Sequence, residues 1–254
     1  MDLLFVSDVL PYPLRDPARV LLYYLGRELY QRRHVIDLVS FYHDPGEIAD
    51  SPRYEQFFFS MHMLPRPAFD WRLLEHRAEH DQLTTRSAAQ MMSPDMWGAL
   101  RDLVSTKRYS AVQLIGSWPL YDYSPLLRNL PTLFTVRHMP EATQTPQTRS
   151  QRRRHALYTQ YEKHSLGHFG ALGALENDVQ AALVERQGLE TRLLPVGVDV
   201  DYYVATGYDP DPPALCFMGD FAQSRWRVAA RLIFDQILPA VRTQIPDVRF
   251  YLVG

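Results

Sequence analysis

The stretch that most limits what this chain can fold into is its last part. Ala214 to Met218 is a short apolar run that stops at Gly219. Arg225 to Gln244 repeats its apolar residues with a helical period, which puts Val228, Leu232, Ile233, Ile237, Leu238 and Val241 on one side. Pro246 ends that pattern, and Val248 to Val253 is a second apolar run ending at Gly254. Two such runs joined by one long helix and short links form a parallel βαβ unit. Alternation along the strands groups Cys216, Met218, Phe250 and Leu252 as one expected face. Cys216 itself is read as a packed core thiol. One helix covers one face of such a pair, so the other is expected to need the rest of the chain, a second copy or a partner protein.

The beginning of the chain repeats the same logic. Asp2 to Ser7 reads as an apolar strand, Asp8 to Pro17 as a proline-rich loop, Ala18 to Arg33 as a helix with Leu21, Tyr24, Leu25 and Leu29 on one side, and His34 to Phe41 as a second strand. This opening predicts a doubly wound α/β domain, in which ligands sit beyond the carboxyl ends of the strands. The Asp8–Pro17 loop is therefore placed at the functional edge. Within it, Asp16-Pro17 reads either as an N-cap and first-turn pair or as a departure from an anion-binding loop, since Pro17 has no N–H and Asp16 is negative.

Further along, Phe57 to Leu64 reads as a strand and Trp71 to Met92 as a helix carrying His76 and His80 on a solvated, charged side. Ser93-Pro94 opens a helix to Thr106 with Met96, Trp97, Leu100, Leu103 and Val104 inward. Ala111 to Gly116 and Pro131 to Val136 read as strands, separated by a segment dense in aromatics: Trp118, Tyr121 and Tyr123. Thr148 to His168 reads as a long basic helix with Arg149, Arg152, Arg153 and Arg154 in its first half. A strand from Phe169 to Leu175 and a helix begun at Glu176 follow. The order gives residues 1–196 as one domain, 197–213 as an acidic, proline-rich linker, and 214–254 as the start of a second.

Several pieces in this order resemble the retaining glycosyltransferases of the GT-B fold, family four, and among them the sugar transferases of bacterial exopolysaccharide systems. Pro195-Val196-Gly197-Val198-Asp199 followed by Asp201-Tyr202-Tyr203 is similar to that family's interdomain linker. Leu238-Pro239-Ala240-Val241-Arg242 and Pro246-Asp247 through Val253-Gly254 are similar to the opening of its second domain, and Pro11-Tyr12-Pro13 with Arg19 to its first loop and helix. The resemblance implies an α/β, GT-B-like chain: a doubly wound parallel-sheet N-terminal domain on the acceptor side, plus a truncated second Rossmann-like unit for the nucleotide sugar.

The implied activity is sugar transfer from a nucleotide-diphosphate donor, such as a UDP- or GDP-sugar, to a glycan or lipid-linked acceptor. No metal or resident cofactor is implied. The residues carried over are His138 as the catalytic candidate, and Asp16, Arg19, Gly219 and Arg225 as donor-side candidates. The family's E-x7-E motif has no counterpart before Gly254, so this chain by itself is expected to be inactive. An alternative stays open: a non-catalytic relative acting as an interaction subunit of a larger complex. Donor binding is expected to be weak and confined to the loops after Ser7 and after Gly219.

Composition removes other classes. A net charge of −2 argues against nucleic acid as a main partner. A single cysteine excludes an internal disulfide and a cysteine-based metal cluster. Met1 leads straight into a strand pattern and no apolar run approaches the length of a membrane span, so a cytoplasmic chain is expected. Peripheral contact with a membrane stays open, with the arginine run of residues 149–154 as its candidate.

Overall fold

The computed structural model describes residues 1–80, 83, 92–137, 147–204, 207, 210–219, 221 and 224–254. The chain divides into two compact units, Met1–Gly197 and Val198–Gly254. The first is built on a parallel sheet of β1 (Asp2–Ser7), β2 (Val35–Tyr42), β3 (Ser60–Pro65), β4 (Ala111–Gly116), β5 (Thr132–Val136), β6 (Ala171–Ala174) and β7 (Arg192–Leu193). Their spatial order is β3-β2-β1-β4-β5-β6-β7, and every pairing is parallel. This is a doubly wound α/β sheet, and strand order reverses between β1 and β4.

Alternate residues of each strand feed two separate cores. Leu3 and Phe5 of β1, Ile36 and Leu38 of β2 and Ile115 of β4 pack with Ala18 and Leu22 of α1 (Pro17–Gln31). Leu4, Val6, Val39, Phe41, Leu114 and Phe134 face the other way. There they meet α3 (Pro94–Thr106), which follows α2 (Trp71–Glu79), through Met96, Trp97 and Leu100. Tyr121 and Tyr123 lie in the same core, just before α4 (Ser124–Leu127), as do Tyr161 of α5 (Arg149–Leu166) and Val179 of α6 (Asn177–Ala181). Both faces of the central strands are dry, which is why they read as unbroken apolar runs.

The helix ends explain where the chain turns. Asp16 caps α1, its carboxylate accepting from Ala18 N and Arg19 N at 3.0 and 3.2 Å, with Pro17 in the first turn where no N–H is missed. At the other end His34 N bonds Leu29 O and Arg33 takes φ 63°, a left-handed closure. Ser93 caps α3, and a reciprocal Thr148–Gln151 box opens α5. The third strand begins at Ser60, not at Phe57, because residues 55–57 form a turn of 3-10 helix that buries Phe57 against α1. Regular helix after Trp71 runs to Glu79; most of the residues between there and Met92 lie outside the described set.

A buried ion pair ties α2 to the segment after β4. Arg77 and Asp122 each have side chains 1% exposed and share bonds of 2.8 and 3.1 Å, and Tyr161 O–H donates to the same carboxylate at 2.8 Å. So one cation of this helix, which reads as solvated in the sequence, is in the core, while His76 and His80 stack on each other at the surface.

The second unit pairs β8 (Ala214–Met218) with β9 (Arg249–Val253) in parallel, with Cys216 opposite Tyr251 and Met218 opposite Val253. Cys216 and Met218 therefore share a face with Tyr251 and Val253, not with Phe250 and Leu252. The connecting helix, α7 (Ser224–Leu232), lies on the Phe217 side through Trp226, so Cys216 is exposed instead of packed. The inward stripe is Trp226, Ala229, Ala230 and Ile233, then Leu238 and Val241 of α8 (Leu238–Arg242). A π turn at Ile233–Ile237 inserts an extra residue and rotates the helix between these halves. Val228, Leu232 and Ile237, expected on the buried side, are exposed.

Candidate functional site at the strand switch point

The strand order reverses between β1 and β4, and in doubly wound sheets the loops beyond that point border the crevice in which ligands sit. The first residue beyond β1 is Asp8, whose side chain is fully buried. Its Oδ2 accepts from Ser117 N at 3.1 Å and from Ser117 Oγ at 2.6 Å, just past β4. Its Oδ1 accepts no hydrogen bond among the described residues. Gly116 makes this possible, because a Cβ there would stand 2.7 Å from Asp8 Cγ.

Two guanidiniums gather on this carboxylate from the ends of β3 and β5. Arg66 lies 3.8 Å and Arg137 3.5 Å from Asp8 oxygens, and Arg137 lies 3.7 Å from Asp16. These separations are ion pairs but are longer than N–H···O hydrogen bonds, so N–H donors remain for something else. Arg66 also stacks over the Trp118 ring at 5.5 Å and contacts His43 Nε2 at 2.7 Å. Partial burial first, and then the Arg66 charge, hold His43 below the ordinary imidazole range, so the ring is neutral and accepts from Arg66.

Arg19 supports the rim. Its guanidinium donates to Leu10 O at 3.2 Å, Tyr12 O at 2.8 Å and Glu47 Oε1 at 2.6 Å, and lies 3.2 Å from Asp16. It pins the proline-rich loop against the segment after β2. Asp8, Asp16 and Glu47 against Arg19, Arg66 and Arg137 make a charge-balanced cluster. Such a cluster, rich in both donors and acceptors, suits a neutral polyhydroxyl ligand better than a bare anion.

Asp16 and Arg19 are at the crevice, the first as helix cap and the second as loop anchor. The α1 N-terminus has its Ala18 and Arg19 N–H groups taken by Asp16. Gly219 ends β8 in the second unit, where a Cβ would stand 2.6 Å from the Trp226 ring. Arg225 lies in the first turn of α7 with its side chain outside the described set, and His138 is likewise outside it. Tyr121 and Tyr123 are core residues, and Trp118 is half-buried at the crevice. Asp8, Arg66 and Ser117 escape a linear reading. Their signal is positional: each is a polar residue immediately beyond an apolar strand.

No protein-family model matches the sequence, and no curated protein matches it significantly. Among solved structures, MurG of Acinetobacter baumannii superposes with a TM-score of 0.47 at 6% identity, covering 95% of this chain and 57% of its own. UGT71G1 of Medicago truncatula, complexed with UDP-glucose, gives 0.49 at 11% identity over 100% of this chain and 66% of its own. The spinosyn rhamnosyltransferase SpnG, complexed with thymidine diphosphate, gives 0.43 at 14% identity over 99% and 65%. This chain thus spans between about half and two-thirds of the length of the structures it is similar to. Its fold is read from its own strand order, and no residue role is taken from these neighbours.

Proposed function

We propose that this chain is a glycosyltransferase-like protein whose first unit binds the acceptor of a nucleotide-sugar reaction at the crevice beyond β1 and β4. One observation carries this reading. At the switch point a buried Asp8 gathers Arg66 and Arg137 at distances longer than hydrogen bonds, so Arg137 and the part of Arg66 not bonded to His43 keep donors for a ligand, beside Ser117 and Trp118. Carbohydrate hydroxyls match such a mixture of charged donors and acceptors. The linker and second-unit motifs around Gly197-Val198-Asp199 and Leu238-Pro239 agree with a GT-B relative of the family-four kind. The donor is then a nucleotide-diphosphate sugar held by the second unit near Gly219 and Arg225.

A non-catalytic role as a subunit of a larger assembly is favoured by one feature. The α1 N-terminus, which can bind phosphate in other α/β proteins, has its leading N–H groups capped by Asp16 and interrupted by Pro17.

The test is a donor and acceptor panel followed by mass spectrometry. UDP-glucose and thymidine diphosphate sugars come first, because two of the structural neighbours hold those nucleotides. Transfer or nucleotide release that falls in Arg66→Ala and Arg137→Ala supports the enzyme. Carbohydrate binding without turnover supports the subunit, and absence of both rejects the reading.

A further inference from the structure

Parallel register puts His43 and Arg66 side by side. Tyr42, the last residue of β2, pairs with Pro65, the last of β3, and Arg66 N donates to Tyr42 O at 3.0 Å. The next residue beyond each strand is therefore held beside the other, one an imidazole and one a guanidinium. Arg66 Nη1 donates to His43 Nε2 at 2.7 Å. This is the one side-chain hydrogen bond that Arg66 makes among the described residues; its other contacts are Asp8 at 3.8 Å and the Trp118 ring at 5.5 Å. Neither of those fixes the direction of the guanidinium as a hydrogen bond does.

The contact works in one protonation state only. A neutral imidazole offers one ring nitrogen as acceptor, whereas an imidazolium has two donors and no acceptor. Protonation would set two cations at hydrogen-bond distance with no acceptor between them. His43 keeps contact with solvent, so a proton can reach it. A second partner for the ring is already in place. His43 N donates to Glu47 Oε2 at 3.0 Å, while the other oxygen of that carboxylate takes Arg19 at 2.6 Å. Four charges face the ring. Arg66 beyond β3 and Arg137 beyond β5 oppose its protonation, and Glu47 of the segment Pro45–Arg53 and Asp8 beyond β1 favour it. Burial is the largest influence and Arg66 the next, so the ring is neutral at neutral pH.

We propose that His43 is a proton-operated latch on the crevice. Neutral, it holds the Arg66 guanidinium beside Asp8 and Trp118; protonated, it turns to the Glu47 carboxylate and releases Arg66. The arrangement is present above the folded titration point of His43 and is lost as pH falls through it. The charge-balanced cluster then gains one positive charge, which disfavours a neutral carbohydrate. That last consequence rests on the proposed function, and the latch itself does not.

NMR on the full chain tests it, following the arginine Nε–H groups and the His43 imidazole from about pH 8 to about pH 5, the span of imidazole titration. The Arg66 signal is expected to move with the same midpoint as His43, while Arg77, buried against Asp122, stays still. In His43→Gln, whose amide oxygen can accept from Arg66 and does not titrate, the Arg66 signal should be flat. Carbohydrate binding by the native chain should weaken by about tenfold over the same range, as for one lost charge-assisted hydrogen bond, and should stay constant in His43→Gln. An Arg66 signal that stays still while His43 titrates overturns the latch. So does one that moves equally in His43→Gln, or binding that weakens equally in both chains. If no carbohydrate binds at any pH the proposed function fails, and the titration of the free chain still decides the latch.

Discussion

Asp8 at the end of β1 and Arg137 at the end of β5 meet 3.5 Å apart, although three other strand ends and most of the first domain separate them in sequence. The pair converts the switch point of the sheet into a polar site. Asp8 is fully buried and cannot itself reach a ligand, so its work is to position Arg137 and Arg66. Replacing it by asparagine keeps an acceptor for Ser117 but leaves two half-buried cations without their counter-charge. Asp8→Asn is expected to lower unfolding stability by about 1–2 kcal/mol, discounted for the partial exposure of both arginines. Urea denaturation checks this, and an unchanged midpoint contradicts it.

Gly116 is the steric condition for that arrangement. A methyl group there would stand 2.9 Å from both Asp8 Oδ1 and Leu120 Cδ1. Gly116→Ala should cost about 1–3 kcal/mol by forcing Asp8 or Leu120 aside. Its damage should be non-additive with Asp8→Asn, since both variants disturb the same contact.

Arg77 and Asp122 form the one fully buried ion pair among the described salt bridges. Arg77→Ala leaves the Asp122 carboxylate with the Tyr161 hydroxyl and the Met92 N–H but no cation, and is expected to cost about 3–5 kcal/mol. A loss under about 1 kcal/mol would mean that the core relaxes around the charge or admits water.

His43 gives a pH readout of the crevice. Its imidazole is held below the ordinary range by partial burial and by Arg66, while Glu47 and Asp8 oppose the shift and Arg137 adds to it. In the folded state it binds fewer protons than in the unfolded chain at mildly acidic pH. Stability therefore declines as pH falls from about 6.5, the unfolded value, toward the folded value. NMR titration should find His43 below the ordinary imidazole range, and Arg66→Gln should raise it. An ordinary value in the native chain contradicts the His43–Arg66 contact.

Much of the first unit was legible in the sequence. The apolar runs, the Ser93-Pro94 and Asp16-Pro17 helix starts and the opening β-loop-α-β each follow from local chemistry. The crevice was not, because Asp8, Arg66, Ser117 and Arg137 come from four different strand ends and share no spacing. The faces of the second unit were misassigned for a related reason. Which residues stand together in a strand pair depends on register, and the pairing of Cys216 with Tyr251 cannot be read from either strand alone. The π turn at Ile233–Ile237 also breaks the period from which the helix face was inferred. Cys216 should accordingly react with a water-soluble disulfide reagent in the native state at nearly the rate of the denatured chain.

Arg66 and Arg137 are proposed as the ligand-binding groups of the switch point. Nitrogen-15 spectra of the arginine Nε–H groups, recorded while a carbohydrate acceptor panel is added, test it most directly. Arg66 and Arg137 are expected to shift together and saturably, while Arg19, already bonded to Leu10, Tyr12 and Glu47, shifts little. Shifts confined to arginines outside the crevice, or none for any carbohydrate, would contradict it.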